Sequence, residues 1–255
     1  VYAILGGFAM TGILGWVIME RAFRQKMQAE DKVHTMTVRN ILFLSLPMLM
    51  TASMTFLIGQ TGVIVLSMFR SETEVGYYVI AVKLATLTAF VLSAVNAMVG
   101  PKFSELFHSG KMDELFYVAQ KSSKLIFVTT VPISVGLIIL GKPFLGIVFG
   151  AEFTVAYPAM LLLIVGQFVN SISGATGLFM NMTGHQNIFR NIVLLAALTN
   201  ICLNFMLTPH YGIYGAAIAA MASIVGWNTA TLFFIKSKFG KTTGFFPAFT
   251  GKVKV

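Results

Sequence analysis

Charge is what this 255-residue sequence has least of, since only 11% of its residues are charged and 56% are hydrophobic. A soluble domain carries roughly a quarter charged residues, so the composition excludes a water-soluble globular protein. The single cysteine, Cys202, lies within an apolar run, which excludes a disulfide framework and a cysteine-based metal site. The four histidines lie far apart and lack the spacing of metal ligands, so we expect no metal site.

Acidic residues are absent from the long apolar runs: none occurs at 40–69, at 75–100 or after Glu152. The carboxylate that would couple transport to a proton or Na⁺ is therefore missing from these segments. A phosphate-binding loop is missing too, because Gly240 starts Gly-Lys-Thr but Ile235 stands where the motif requires its first glycine. No paired carboxylates or Ser-His-Asp arrangement emerges. We expect neither an enzyme nor a bound cofactor.

Seven apolar stretches are long enough to cross a membrane, which takes about 20 apolar residues for a hydrocarbon core ~30 Å thick. They are 1–19, 41–69, 75–100, 125–140 with a few flanking residues, 158–183, 188–207 and 213–235. We expect the long second stretch to tilt, to kink near Pro47 or to project into the headgroups. Pro209 and Gly212 divide the last two by a tight turn. The sequence therefore predicts an all-α integral membrane protein with seven transmembrane helices.

Basic residues are concentrated in alternate connections between these stretches. The connections 20–40, 102–124 and 184–190 and the tail 236–255 carry 15 Lys and Arg together, whereas the other connections carry two. The positive-inside rule places the basic connections in the cytoplasm. Because the basic residues are scattered rather than clustered on one solvated face, we expect no nucleic-acid partner.

A polar linker at 21–39 divides the chain into a preceding helix at 1–20, a six-helix lobe at 40–236 and a basic cytoplasmic tail at 237–255. Residues 9–16 and 220–227 share five identities in eight positions. Such a match in apolar sequence has two explanations, chance and an internal repeat. A repeat would make the first helix the last helix of an earlier copy of the lobe, as transporters are commonly built from repeats. Val1 already lies in an apolar stretch, so we expect the chain to begin part-way through a longer protein.

Polar side chains inside the predicted helices form the candidate site, because such residues are costly in a bilayer and usually face the protein interior. Helical spacing places five residues of the fifth stretch within about a third of the circumference. They are Gln167, Asn170, Ser171, Gly174 and Asn181. Asn200 and Asn204 stack one turn apart in the next stretch. Both sets predict either the lining of a wet cavity or hydrogen bonds between helices.

Lys83 is the one formal charge well inside a predicted span, and Thr86 and Ser93 share its face. Two interpretations remain open for this lysine. Its long side chain either reaches the outer headgroups or places a cation in a substrate cavity.

Six short motifs occur in an order that is typical of one transporter family. The most specific is TNICLNFMLTPHYGIYGAAIAAMAS (199–223), and the others are LSLPMLM (44–50), VGYY followed by AVKL (75–84), PKFS (101–104), Pro132-Ile133 and FGAEF (149–153). Together they resemble the polysaccharide flippases of the O-antigen type. The superfamily also contains multidrug and toxin extrusion transporters and lipid II flippases.

The resemblance implies a two-lobed transporter of twelve or fourteen helices that opens alternately to either side of a prokaryotic plasma membrane. Its substrate would be an oligosaccharide on a polyprenyl pyrophosphate, passed from the inner to the outer leaflet for surface polysaccharide biosynthesis. This chain would supply the last helix of the N-terminal lobe and the whole C-terminal lobe. Its partners would be the lipid-linked oligosaccharide, the membrane lipids and the missing N-terminal lobe, with Lys83 as the cavity cation.

Two alternatives belong to other classes. A multidrug-type antiporter for organic cations needs acidic cavity residues, which these helices lack. An inert scaffold or assembly subunit has no need for an inward polar stripe such as the one that begins at Gln167.

Overall fold

A computed structural model describes residues 38–245 of this protein, together with Met10, Gly15, Trp16 and Glu20. Within 38–245 all regular structure is helical. The α-helices are α1 (Val38–Phe69), α2 (Glu72–Thr86), α3 (Phe90–His108), α4 (Met112–Val148), α5 (Tyr157–Ser173), α6 (Thr176–Met182), α7 (Gln186–Tyr211) and α8 (Ile213–Phe239). Short 3₁₀ turns at Leu87–Ala89 and Ala151–Ala156 precede α3 and α5.

Six helical segments in the described part of the chain are long and apolar enough to cross a membrane. They are Ser45–Phe69, Glu72–His108, Met112–Val148, Ala151–Ser173, Gln186–Tyr211 and Ile213–Phe239. The prediction of an all-α integral membrane protein is therefore confirmed, and six of the seven predicted spans are seen as helices. The span predicted at 1–19 and the linker at 21–39 lie mostly outside the described residues.

The connections between helices are shorter than the sequence predicts. The segment 102–124 is predicted as a loop, yet α3 continues to His108 and α4 begins at Met112. An apolar run marks the part of a helix that lies in hydrocarbon, whereas the backbone hydrogen bonds continue into water. The chain reverses direction in short turns that contain a glycine with positive φ. The φ angle is 70° at Gly110 and 112° at Gly150.

The prediction of a single helix at 158–183 is wrong. This segment forms two helices, α5 and α6, which are separated at Gly174. This glycine has φ 70° and ψ −145°, a conformation that other residues rarely adopt. A Cβ there would also clash with the Ser123 hydroxyl on α4. The break ends α5 at Ser173, so Asn181 on α6 does not continue the helical stripe that begins at Gln167.

The second span is interrupted by the 3₁₀ turn at Leu87–Ala89. A change of helix type disturbs backbone hydrogen bonds, and a bilayer offers no water to replace them. Here the Thr130 hydroxyl of α4 donates to the Thr88 carbonyl across 3.4 Å. The Thr88 hydroxyl donates to the Ala85 carbonyl at 2.6 Å. Buried side-chain hydroxyls therefore support the break.

Two apolar clusters form the core, one toward each end of the bundle. The first contains Leu66, Tyr78, Leu145, Met160 and Ile213, among others. The second contains Phe103, Phe116, Phe179, Phe189 and Ile235, among others. Between residues 44 and 245, eight Lys and Arg residues lie in the half with the second cluster, and three lie in the other half. We call these halves the basic end and the opposite end.

Candidate functional site

A ladder of polar side chains joins α7 to α8, and we call Asn200, Asn204, Thr208 and Ser223 the asparagine ladder. The Asn200 amide donates to the Ala219 carbonyl at 3.2 Å and to the Ser223 hydroxyl at 3.0 Å. The Asn204 amide donates to the Asn200 carbonyl at 2.9 Å. Both asparagines are fully buried. The structure therefore places them in a helix-packing interface.

Two glycines of the TPHYGIYGAA motif allow α7 and α8 to pack closely. Gly212 forms the turn between them with φ 54°. A Cβ on Gly215 would lie 2.5 Å from the Leu207 carbonyl carbon and oxygen, which are backbone atoms and cannot rotate away. The motif is thus explained first by the geometry of a tight helical hairpin.

A second polar chain joins α5 to α8. The Asn170 amide donates to the Gln167 side-chain oxygen at 3.2 Å, and the Asn228 amide donates to the Asn170 side-chain oxygen at 3.1 Å. Gln167 and Asn170 are half-buried, whereas Asn228 is 1% exposed. Sequence reasoning missed Asn228, because no periodicity within one helix indicates a partner on another. Ser171 bonds within its own helix, donating to the Phe168 carbonyl at 2.8 Å.

A cleft of about 660 Å³ lies beside this chain, between α5 and α8 in the basic half. Its walls include Ile172, Leu232 and Phe233, with Lys236 at the edge nearest the basic end. Residues 240–245, the described part of the predicted tail that follows α8, lie against α4 and α5. The Ser123 hydroxyl donates to the Thr243 carbonyl at 2.8 Å, and the Phe245 amide donates to the Ile172 carbonyl at 2.9 Å.

Two asparagine side-chain oxygens are buried without a hydrogen-bond partner among the described residues: Asn181 on α6 and Asn96 on α3. The two helices pack against each other. Asn181 belongs to the sequence-predicted site, but the break at Gly174 separates it from Gln167 and Asn170. Asn96 was missed, because a lone amide in an apolar run carries no pattern.

Lys83 lies on the face of α2 that points away from the packed core of the described bundle. Tyr78, Ala81 and Ala85 bury the core-facing side, while Lys83, Thr86 and Ser93 are all exposed. The hydroxyls of Thr86 and Ser93 donate to backbone carbonyls one turn earlier in the chain. No hydrogen bond or ion pair engages the Lys83 ammonium within the described part of the chain. The structure thus leaves exposed all three residues that the sequence places on one face.

The candidate site contains no cluster suited to a metal. Among the residues that the structure describes, no three His, Cys, Asp or Glu side chains lie together.

Residues 1–158 match the model of a family described as polysaccharide biosynthesis protein, which covers more than half of the chain. The chain belongs to this family. Three curated relatives match in addition, all of them archaeal, and no solved structure matches.

Two of the relatives are from Haloferax volcanii. One is a probable low-salt glycan biosynthesis flippase, 24% identical over 161 residues, which are 63% of this chain and 34% of that protein. The other is a probable flippase, 26% identical over 165 residues, with the same shares covered. The third is an uncharacterized membrane protein of Methanocaldococcus jannaschii, 22% identical over 219 residues, which are 86% of this chain and 43% of that protein. The chain thus spans less than half the length of each relative.

Proposed function

We propose that this chain is part of a transporter that moves a lipid-linked oligosaccharide across a membrane, rather than an enzyme. Its family is described by polysaccharide biosynthesis, and two of its relatives are named as flippases. The substrate would be a glycan on a polyprenyl pyrophosphate, moved from the inner to the outer leaflet for surface polysaccharide biosynthesis. The membrane would be the plasma membrane of a prokaryote, in keeping with archaeal relatives.

The physical problem of such a transporter is the head of its substrate. A pyrophosphate and a glycan cannot cross hydrocarbon unaided, because burying an unpaired charge or an unbonded hydroxyl costs several kcal/mol. A water-filled cavity between two lobes removes this cost while the polyprenyl chain stays in the bilayer. Alternating access then requires only that the lobes rock against each other. The six described spans would form one lobe, and a second lobe of the same protein would complete the cavity.

The observation that carries the proposal is the exposed face of Lys83, Thr86 and Ser93. A cation well inside a membrane span is costly in lipid, so its most favourable setting is a water-filled cavity. Lys83 lies in the last turn of α2, about 16 Å along the span from Glu72 and inside the apolar segment Glu72–His108. An ammonium is a point charge with three donors, which suits a mobile pyrophosphate that must be released later.

The other residues of the predicted site divide into two groups by burial. Gln167, Asn170 and Asn181 are half-buried and remain candidates to line the cavity. Ser171, Asn200 and Asn204 are buried, and their hydrogen bonds run within or between helices, so we assign them to the support of the lobe rather than to contact with substrate.

The test uses the full-length protein in cells that lack their own flippase, with surface glycan measured at matched protein levels in the membrane. Lys83→Arg keeps the charge and should retain most export. Lys83→Ala removes the charge and Lys83→Glu adds repulsion in a site of reduced dielectric. We expect export to fall in the order wild type, Arg, Ala, Glu.

The matched control is Lys142→Ala, which removes an exposed lysine from α4 near the opposite end. It should export as well as wild type. If Lys83→Ala and Lys83→Glu also export normally, Lys83 only reaches for the headgroups. If the wild-type protein restores no surface glycan, the proposed function itself is wrong.

A further inference from the structure

A concave surface lies at the opposite end of the bundle, where the α1–α2 junction meets the α7–α8 turn. Its volume is about 510 Å³, and it is open to the outside of the bundle. Its polar and aromatic lining consists of Arg70, Glu74, Tyr77, His210, Tyr211 and Tyr214. We call it the tyrosine cavity. Neither the polar chain of α5 and α8 nor the Lys83 face includes any of these residues.

Within the part of the chain that the structure describes, the hydroxyls of its three tyrosines have no hydrogen-bond partner. Two other tyrosines in the same half of the bundle donate to backbone carbonyls: Tyr78 to Ala216 at 3.4 Å and Tyr157 to Ile138 at 2.5 Å. Tyr77, Tyr211 and Tyr214 make no such bond within the described residues. The three hydroxyls therefore remain available to a ligand, while the Tyr77 ring already packs edge to face against Phe153, with ring centroids 5.0 Å apart.

The guanidinium of Arg70 and the carboxylate of Glu74 also line the tyrosine cavity. The Arg70 guanidinium donates to the carbonyls of Pro209 at 3.0 Å and His210 at 3.3 Å, which fixes the end of α7 against the end of α1. The Glu74 side chain has no hydrogen-bond or ion-pair partner in the described part of the chain. Gly212 leaves room for it, since a Cβ there would lie 2.9 Å from the nearer Glu74 carboxylate oxygen.

We propose that the tyrosine cavity binds the glycan of the substrate. A sugar ring presents apolar C–H faces and a rim of hydroxyls that both donate and accept. Tyrosine supplies an apolar ring and a polar hydroxyl in one side chain, and carboxylate, phenol and imidazole groups accept and donate to sugar hydroxyls. A pocket of aromatic walls with a few convergent polar groups is the usual form of a small-molecule site.

The inference rests on the proposed function, because it assigns the cavity to the end at which that function releases the glycan. The alternative is an aromatic belt, in which tyrosines anchor a protein at the headgroups. A belt spreads around the circumference and requires no carboxylate. These three rings instead come from three different helix ends and converge on Glu74 and Arg70.

The experiment measures binding of free glycan to the full-length protein in nanodiscs by saturation-transfer NMR. The probe is the oligosaccharide released by mild acid from the lipid-linked oligosaccharides of the organism that makes this protein. Tyr211→Ala and Tyr214→Ala should each weaken binding about fivefold, as expected for the loss of one aromatic contact. Tyr211→Phe keeps the ring and should weaken it less.

Tyr117→Ala is the matched control, since Tyr117 is 50% exposed at the basic end and Tyr211 is 60% exposed at the opposite end. The control should bind as wild type does, and all variants should keep the wild-type melting temperature. If wild type exports glycan but the Tyr211 and Tyr214 variants bind it as tightly as wild type, the inference is overturned and the proposed function stands. If wild type neither exports nor binds glycan, both are wrong.

Discussion

The asparagine ladder and the Lys83 face are both polar surfaces within membrane-spanning helices, and the bundle treats them in opposite ways. Asn200 and Asn204 are enclosed between α7 and α8, and their amides are satisfied by neighbouring groups. Lys83 and Thr86 are exposed, and the ammonium has no partner in the described bundle. The difference teaches that polarity inside a span serves packing where partners enclose it and is available to a ligand where they do not.

We expect the largest loss of stability from a substitution in the enclosed interface between α7 and α8. Gly215→Ala places a Cβ 2.5 Å from the Leu207 backbone, so α7 and α8 must separate. We expect a loss of about 3 kcal/mol in the free energy of unfolding of the full-length protein in detergent. Gly226→Ala is the control, because no atom lies within 4 Å of its added Cβ. An unchanged stability of Gly215→Ala would mean that the hairpin is looser than described.

Removing one member of the ladder should have the next largest effect. Asn200→Ala removes the buried amide that donates to the Ala219 carbonyl and to the Ser223 hydroxyl. We expect a loss of about 2 kcal/mol in the free energy of unfolding. A double-mutant cycle with Ser223→Ala isolates the bond between the two side chains. Additive effects of the two substitutions would contradict a direct bond.

The rate at which a cysteine reacts with a water-soluble reagent should distinguish the Lys83 face from the asparagine ladder. In a Cys202→Ser background, which removes the exposed native thiol, Thr86→Cys should react with a water-soluble maleimide at least about tenfold faster than Asn204→Cys, because only an ionised thiol in contact with water reacts. The measurement is the labelling rate of the full-length protein in membranes. Equal protection of both cysteines would place Thr86 in lipid and remove the proposed cavity.

The smallest expected effect is that of Lys83→Ala on stability. Because Lys83 is exposed and its ammonium has no hydrogen-bond or ion-pair partner in the described bundle, the free energy of unfolding should change by no more than about 0.5 kcal/mol. Export should fall in the same variant. A large loss of stability would show that Lys83 is a structural residue and would erase the contrast with the ladder.

The fold class and the six described spans followed from the sequence because hydropathy is a local property. Any run of about 20 apolar residues must leave water wherever its neighbours lie. Helix ends did not follow from hydropathy. The prediction of a loop at 102–124 overlooked that helices extend past the hydrocarbon, and the single helix at 158–183 overlooked the backbone conformation that Gly174 adopts.

Tertiary structure alone decided which polar residues are enclosed. A helical projection does not distinguish the half-buried Gln167 and Asn170 from the buried Asn200 and Asn204. The burial of each side chain depends on which side chains of the neighbouring helix lie against it. The partner of Asn170 is Asn228, 58 residues away, and the tyrosine cavity gathers side chains from positions 70 to 214. Sequence determined that this chain crosses a membrane and how often its described part can do so. Only the packing of the helices determined where an unpaired polar surface remains, because that depends on distances between residues that are remote in sequence.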